Sequence, residues 1–251
     1  MSQAIFQSFE QKTKPSQGAP HLKALRDELV KRGLDGFVIP RTDEHQNEYV
    51  PASSERLMWL TGFAGSWGTA IVLADKAAIF VDGRYTVQVR EQVDVTLFTP
   101  EHLIEHPPEQ WIKKNVKAGM KIGFDPWLHT HEGTKRLEEA CTAIGASLVA
   151  VQTNPIDTVW SDRPAIPLAP VTLHRPAYAG EDADAKIKRI QAKLTEMKAD
   201  AVVITDAHAV AWIFNIRGGD VGHTPLPLGF AIVPQQGKPE LFICLLYTSP
   251  S

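Results

Sequence analysis

His102-Leu103-Ile104-Glu105-His106 is the stretch with the most chemical promise. An H-x-x-E-H pattern on a helix sets two imidazoles one turn apart, where they can chelate zinc, with the glutamate beside them as base for an attacking water. That chemistry needs the helix. Pro107 and Pro108 follow directly, and a residue before proline is pushed out of the α region. The expected structure is therefore a loop leading into a proline-started helix around Trp111. The pair His129 and His131 in "HTHEG" could also chelate a metal from the surface. Thr130 is a good helix N-cap, however, and introducing the following helix is its expected role.

Three further stretches carry polar chemistry. "RTDEHQNEYV" gathers Asp43, Glu44, His45 and Glu48 just after a predicted strand, a place where α/β domains often put ligand groups. A solvated strand-to-helix loop is the simpler expectation. "TGFAGSWGT" has three glycines, but no phosphate-loop lysine and no following helix to supply a dipole, so close backbone packing explains them. "NIRGGDVGHTPLPLGF" displays Arg217, Asp220 and His223 between glycines and prolines. These three are the candidates for lining a ligand cleft, the alternative being an Arg217–Asp220 ion pair that only shapes the turn. There is no G-x-S-x-G nucleophile elbow. The sequence offers no residue to assign as catalytic and none as a metal ligand.

The elements that must position these residues occur twice. Leu22, Leu25, Leu29 and Val30 recur at helical spacing, Gly33 stops the helix, and "GFVIP" is a strand. In the second copy Ile187, Ile190, Leu194 and Met197 form the apolar face, and "AVVIT" is the strand. A tryptophan-bearing helical turn follows in each ("MWLTGF", "AWIFNIRG"), and then a hairpin ("GTAIVLADKAAIFVD", "LGFAIVPQQGKPELFI"). The copies sit roughly 160 residues apart, about the length of one small α/β domain. After its hairpin, copy one goes on through a helix in "DGRYTVQVREQVD", a strand "VTLFT", the Trp111 helix, a strand "KIGFD", a helix from Thr130 to Gly145 and a strand "SLVAV". Copy two has no counterpart of these before "CLLYTSPS", so it is expected to be incomplete, with an uncovered sheet edge. A proline-rich link, "NPIDTVWSDRPAIPLAPVTLHRPAYAG", is expected to be extended and stiff.

The totals exclude several classes. Apolar residues at 43% and charged residues at 22% suit a soluble globular chain. A net charge of -3 gives no reason to expect nucleic acid or an acidic membrane surface as partner. The start lacks a basic and then apolar signal sequence, and no apolar run approaches the ~20 residues that span a bilayer. Only Cys141 and Cys244 are present, as suits a reducing compartment. A cytoplasmic location is expected.

"HQNEYVPASSERLMWLTGFAGSWGTAIV" with "AIFVDGRY" resembles the first domain of the Xaa-Pro aminopeptidases (aminopeptidase P), whose N-terminal domain is creatinase-like. The stretch from "AYAGEDADAKIKRI" to "LFI" is similar to the second domain of the long, three-domain form. The resemblance implies an α/β fold of two tandem creatinase N-terminal-like domains, each a mixed sheet flanked by helices, the second incomplete. Residues 1–19 would be a flexible lead, 20–153 the first domain, 154–180 the proline-rich linker, 181–243 the first part of the second domain, and 244–251 an anomalous tail. Where the family has an acidic residue and a helix, that tail reads "CLLYTSPS" and looks like translated vector sequence.

Enzymes of this family remove the N-terminal residue from short peptides with proline in second position. They use two divalent metals, commonly manganese, that activate a water in a C-terminal domain of the pita-bread fold. The resemblance implies that this chain is the non-catalytic N-terminal portion of such an enzyme, truncated before that domain and inactive alone. It would serve in gating the cleft and in subunit association, as part of a homo-oligomer when intact, with no cofactor of its own. A stand-alone, non-enzymatic creatinase-like binding module is the alternative. A self-contained metallopeptidase built on His102, Glu105 and His106 is the third reading.

Overall fold

The hairpin strands of copy one are apolar at consecutive positions, which calls for a sheet covered on both faces. The computed structural model, which describes residues 13–243, has this arrangement in the first of two compact units. Unit 1 comprises Arg56–Pro126, Thr130–Ser161 and the described part of Met1–Arg41. Its six strands are β1 (Gly36–Pro40), β2 (Thr69–Leu73), β3 (Ala77–Val81), β4 (Thr99–His102), β5 (Lys121–Phe124) and β6 (Ser147–Ala150), in the order β4-β3-β2-β1-β5-β6. The β1–β2 and β2–β3 pairs are antiparallel, and β3–β4, β1–β5 and β5–β6 are parallel, so the sheet is mixed.

Side chains alternate between faces along each strand. Phe37, Ile39, Val72, Ile79 and Val81 enter one core with Leu22, Leu25 and Leu29 of α1 (Gly18–Lys31) and Leu57 and Trp59 of α2 (Arg56–Thr61). Val38, Ile71, Leu73 and Phe80 enter the other, with Trp111 and Ile112 of α4 (Pro108–Asn115) and Leu137 and Cys141 of α5 (His131–Thr142). Between them in sequence, α3 (Gln88–Gln92) contributes Val89 to the first core.

Two local expectations are corrected. "VTLFT" is not the fourth strand. Asp94 accepts from the Thr96 N–H and hydroxyl, and its carbonyl accepts from Leu97 and Phe98, which closes a turn. The strand starts at Thr99 instead and carries Pro100 at the sheet edge, where a missing N–H is tolerated. The start of the link is not extended either. Asn154 caps α6 (Pro155–Val159), its Oδ1 accepting from the Ile156 N–H, and Ile156 and Trp160 are buried in the first core. Arg56 grips Asp157 through two bonds, of 2.7 and 3.0 Å, between α2 and α6. Apolar burial plus a capped first turn outweighs the prolines, one of which sits at the first helical position that suits it.

Unit 2 comprises Thr42–Glu55, Trp127–His129 and the described residues from Asp162 onward. It holds β7 (Thr172–Leu173), α7 (Pro176–Ala179), α8 (Ala183–Met197), β8 (Ala201–Ile204), α9 (Ala207–Phe214), β9 (Ile216–Arg217), β10 (Gly229–Pro234) and β11 (Glu240–Ile243). The sheet β11-β10-β8 is antiparallel throughout and repeats the order β3-β2-β1 of unit 1. The helix, strand, tryptophan helix and hairpin read from the sequence thus recur in both units. Strands β1 and β3 are each flanked on their outer side by a parallel neighbour. Among the described residues β8 and β11 are not, and Val203 (63%) and Phe242 (48%) stay exposed. The expectations for the first residues of the lead and for 244–251 lie outside the described residues.

Candidate functional site

The stretch carrying Arg217, Asp220 and His223 begins where α9 ends. Asn215 adopts the left-handed conformation (φ 50°) that stops that helix. Its side chain donates to the Glu181 carbonyl and accepts from Lys186 Nζ at 2.7 Å. Lys186, 2% exposed on α8, also donates to the Trp212 carbonyl at 2.8 Å and lies 4.2 Å from the centre of the Trp212 ring. A buried ammonium is tolerated when hydrogen-bonded, and here it sits on the last carbonyls of a helix, where positive charge is favoured.

From this anchor β9 pairs with β7, and the chain then doubles back. The Gly218 N–H donates to Pro225 O and the Asp220 N–H to Leu226 O. A Cβ at Gly218 would come within 2.6 Å of the Pro227 nitrogen, so only glycine lets the two limbs close. Asp220, 8% exposed, accepts from the Ala169 N–H (3.0 Å) through Oδ1 and from the Leu228 N–H (2.8 Å) through Oδ2. The expected alternative of an Arg217–Asp220 ion pair is not formed. Backbone donors occupy the carboxylate, and Arg217 Nη1 turns to the carbonyls of Ile216 (2.8 Å) and Ala211 (3.5 Å). His223 stands exposed at the tip (φ 59°), within a turn closed by the Val221–Thr224 bridge. The three candidates thus belong to one pinched loop, in which Asp220 holds the fold and His223 is presented to solvent.

The other polar stretches resolve differently. "HLIEH" is the end of β4 followed by a turn, as the prolines require. His102 Nδ1 accepts from the Ile104 and Glu105 N–H groups, while His106 pairs with Glu101 at 3.1 Å. Thr130 caps α5, its hydroxyl accepting from the Gly133 N–H. In the glycine turn, Gly62 (φ 87°) would place a Cβ 2.6 Å from Gln92 O, and close packing is indeed its role. Among the described residues no three His, Cys, Asp or Glu side chains are grouped to hold a metal ion.

The solvated-loop expectation for "RTDEHQNEYV" is overturned. Arg41, Thr42, Asp43, His45 and Asn47 are all buried. Asp43 Oδ1 accepts from the N–H groups of His45 and Asn47, each at 3.0 Å, and Oδ2 from Asn47 Nδ2 at 2.8 Å. The available signal was the short polar side chain followed two and four residues on by donors, the pattern in which aspartate folds its own backbone. The polar composition concealed it.

Comparison with known proteins gives this geometry a context. The pattern described as Creatinase/Prolidase N-terminal domain matches residues 21–159, and a second form of it matches 162–246. The chain is 36% identical over 215 residues to a probable Xaa-Pro aminopeptidase P of Aspergillus niger, covering 84% of this chain and 35% of that protein. It is 34% identical over 232 residues to the one from Coccidioides posadasii, covering 91% and 38%. The structure of X-prolyl aminopeptidase from Caenorhabditis elegans, described as a cytosolic enzyme with a di-nuclear active site, is similar at a TM-score of 0.84 and 28% identity. That match covers 90% of this chain and 39% of the nematode enzyme. The chain spans little more than a third of the length of the relatives it matches.

Proposed function

Because the chain belongs to the creatinase/prolidase N-terminal domain family and carries two such domains in tandem, we propose that it is the non-catalytic N-terminal portion of a cytoplasmic Xaa-Pro aminopeptidase. The similarity to the nematode enzyme over 90% of the chain carries this reading. On it, the complete protein removes the N-terminal residue from short peptides whose second residue is proline. The chemistry would belong to a further domain, where a bound metal pair would supply an activated water. The two domains here would restrict access to the cleft and support association of subunits. Within them the Arg217–His223 loop is the candidate for facing the peptide. Asp220 keeps the loop pinched, Arg217 stiffens its base, and the His223 imidazole is the group offered outward.

The test is a chimera in which this chain replaces the matching part of the nematode enzyme. Hydrolysis of a Xaa-Pro peptide by the chimera is expected, with none from the chain alone in the presence of manganese. His223→Ala in the chimera should raise KM about threefold or more with kcat little changed, the signature of lost ground-state binding. Hydrolysis by the chain alone would overturn the non-catalytic assignment, and an unmoved KM would remove the loop from the cleft.

A further inference from the structure

We propose that Thr42–Glu55 is a strap that completes unit 2, and that His45 fastens it by holding β8 and β10 together. Unit 2 is discontinuous in sequence, and the strap reaches it from far upstream of its helices and strands. Asp43, fully buried, collects three N–H donors from His45 and Asn47, which fixes the first turn of the strap. That turn positions His45 for its contact outside the strap.

His45 Nδ1 lies 2.9 Å from the carbonyl oxygen of Thr205, the residue just after β8. A carbonyl only accepts, so Nδ1 carries the proton and donates. The ring stacks on Phe230 of β10, with centroids 4.4 Å apart and planes inclined by 28°. Strands β8 and β10 are direct neighbours, Ile204 opposing Ala231. One side chain thus bridges the end of one strand and a side chain of the next. Trp127, from the other short stretch of unit 2, reaches the same Phe230 at 6.4 Å. Toward the strap's far end, Ser53 O accepts from Arg163 Nε at 2.8 Å. A three-stranded sheet needs a packed apolar face or a helix for independent stability, and the strap adds a hydrogen bond at the end of β8 and a ring contact on β10 to that packing.

Hydrogen exchange on the full chain tests this. In His45→Ala, amides of residues 201–204 and 229–233 should exchange roughly tenfold faster or more, because a hydrogen bond and a ring contact are lost together. Residues 69–73 and 77–81 should keep their rates. His45→Phe retains a ring without the donor and should fall between wild type and alanine. Should the alanine variant not fold, the phenylalanine variant alone decides, by faster exchange confined to those two strands. Unchanged rates in β8 and β10, or equal acceleration of both sheets, would overturn the proposal.

Discussion

Replacing Lys186 with methionine should loosen unit 2 by at most about 2–3 kcal/mol, since the interactions lost are partly offset by the burial cost removed. The ammonium satisfies Asn215 Oδ1 and the Trp212 carbonyl. A buried acceptor left without a donor costs about 1–3 kcal/mol. The charge on the last turn of α9 contributes roughly 0.3–1 kcal/mol more, and the Trp212 ring at 4.2 Å about as much again. Methionine fills a similar volume and removes the several kcal/mol penalty of burying a charge, which offsets part of the loss. A limit of about 2–3 kcal/mol corresponds to roughly 30- to 150-fold in the opening equilibrium. Hydrogen exchange over 183–217 reads it directly, with 69–81 as internal reference. A change below about threefold, or one shared equally by unit 1, would refute the idea that Lys186 is the cap on which α9 and the following loop depend.

Two further predictions concern protonation. Burial pushes the Cys141 thiol from 9.0 up to about 11, so the folded state holds its proton more tightly than the unfolded chain. That stability is complete below pH 9.0 and is lost as pH rises toward about 11, so unfolding of the wild type should become easier over that window and unfolding of Cys141→Ala should not. A thiol reagent at pH 8 should label Cys141 only after denaturation. The Arg32 hydrogen bond, and then Lys31, hold the Glu28 carboxyl below its ordinary 4.5. Its contribution is therefore full above pH 4.5 and lost as pH falls through the lower folded value. Glu28→Gln should flatten the acid limb of the stability profile, and an unchanged limb would place that dependence on other carboxylates.

The repeat was legible because it is written in periodicity: helical spacing from Leu22 to Leu29 and from Ile187 to Leu194, then apolar hairpins. These patterns reflect which face is buried, and burial is what composition reports. Caps were partly legible too, as Thr130 shows. Two of the failures share one cause. Asp43 and Asp220 are polar and buried, and each accepts from backbone N–H groups, Asp43 also from the Asn47 side-chain amide. Polarity in a sequence does not distinguish a group facing solvent from one folding its own loop. The Arg217–Asp220 pairing was inferred from proximity in sequence, whereas the carboxylate's partners, Ala169 and Leu228, lie along different segments. For Asn154–Trp160 the prolines of the longer link suggest an extended chain, while Ile156 and Trp160 supply a reason to pack.

The two copies also show how one structural task can be met by unlike chemistry. Each tryptophan-bearing helix must end sharply before the chain reaches the hairpin. In unit 1 the exit is Gly62, at φ 87°, where a Cβ would lie 2.6 Å from Gln92 O and no other residue fits without movement. In unit 2 the exit is Asn215, also left-handed, but its side chain is in use, accepting from Lys186 and donating to Glu181 O. Glycine at 215 would satisfy the backbone but leave the buried ammonium one acceptor fewer, with only the Trp212 carbonyl and ring. Asparagine at 62 would meet the Gln92 carbonyl. The exchange is therefore forbidden in both directions, for opposite reasons, and neither residue can serve as a marker for aligning the copies. The first exit is fixed by space and the second by charge. An electrostatic cap inside unit 2 makes the Arg217–His223 loop sensitive to a side chain on α8 in a way that a steric stop would not.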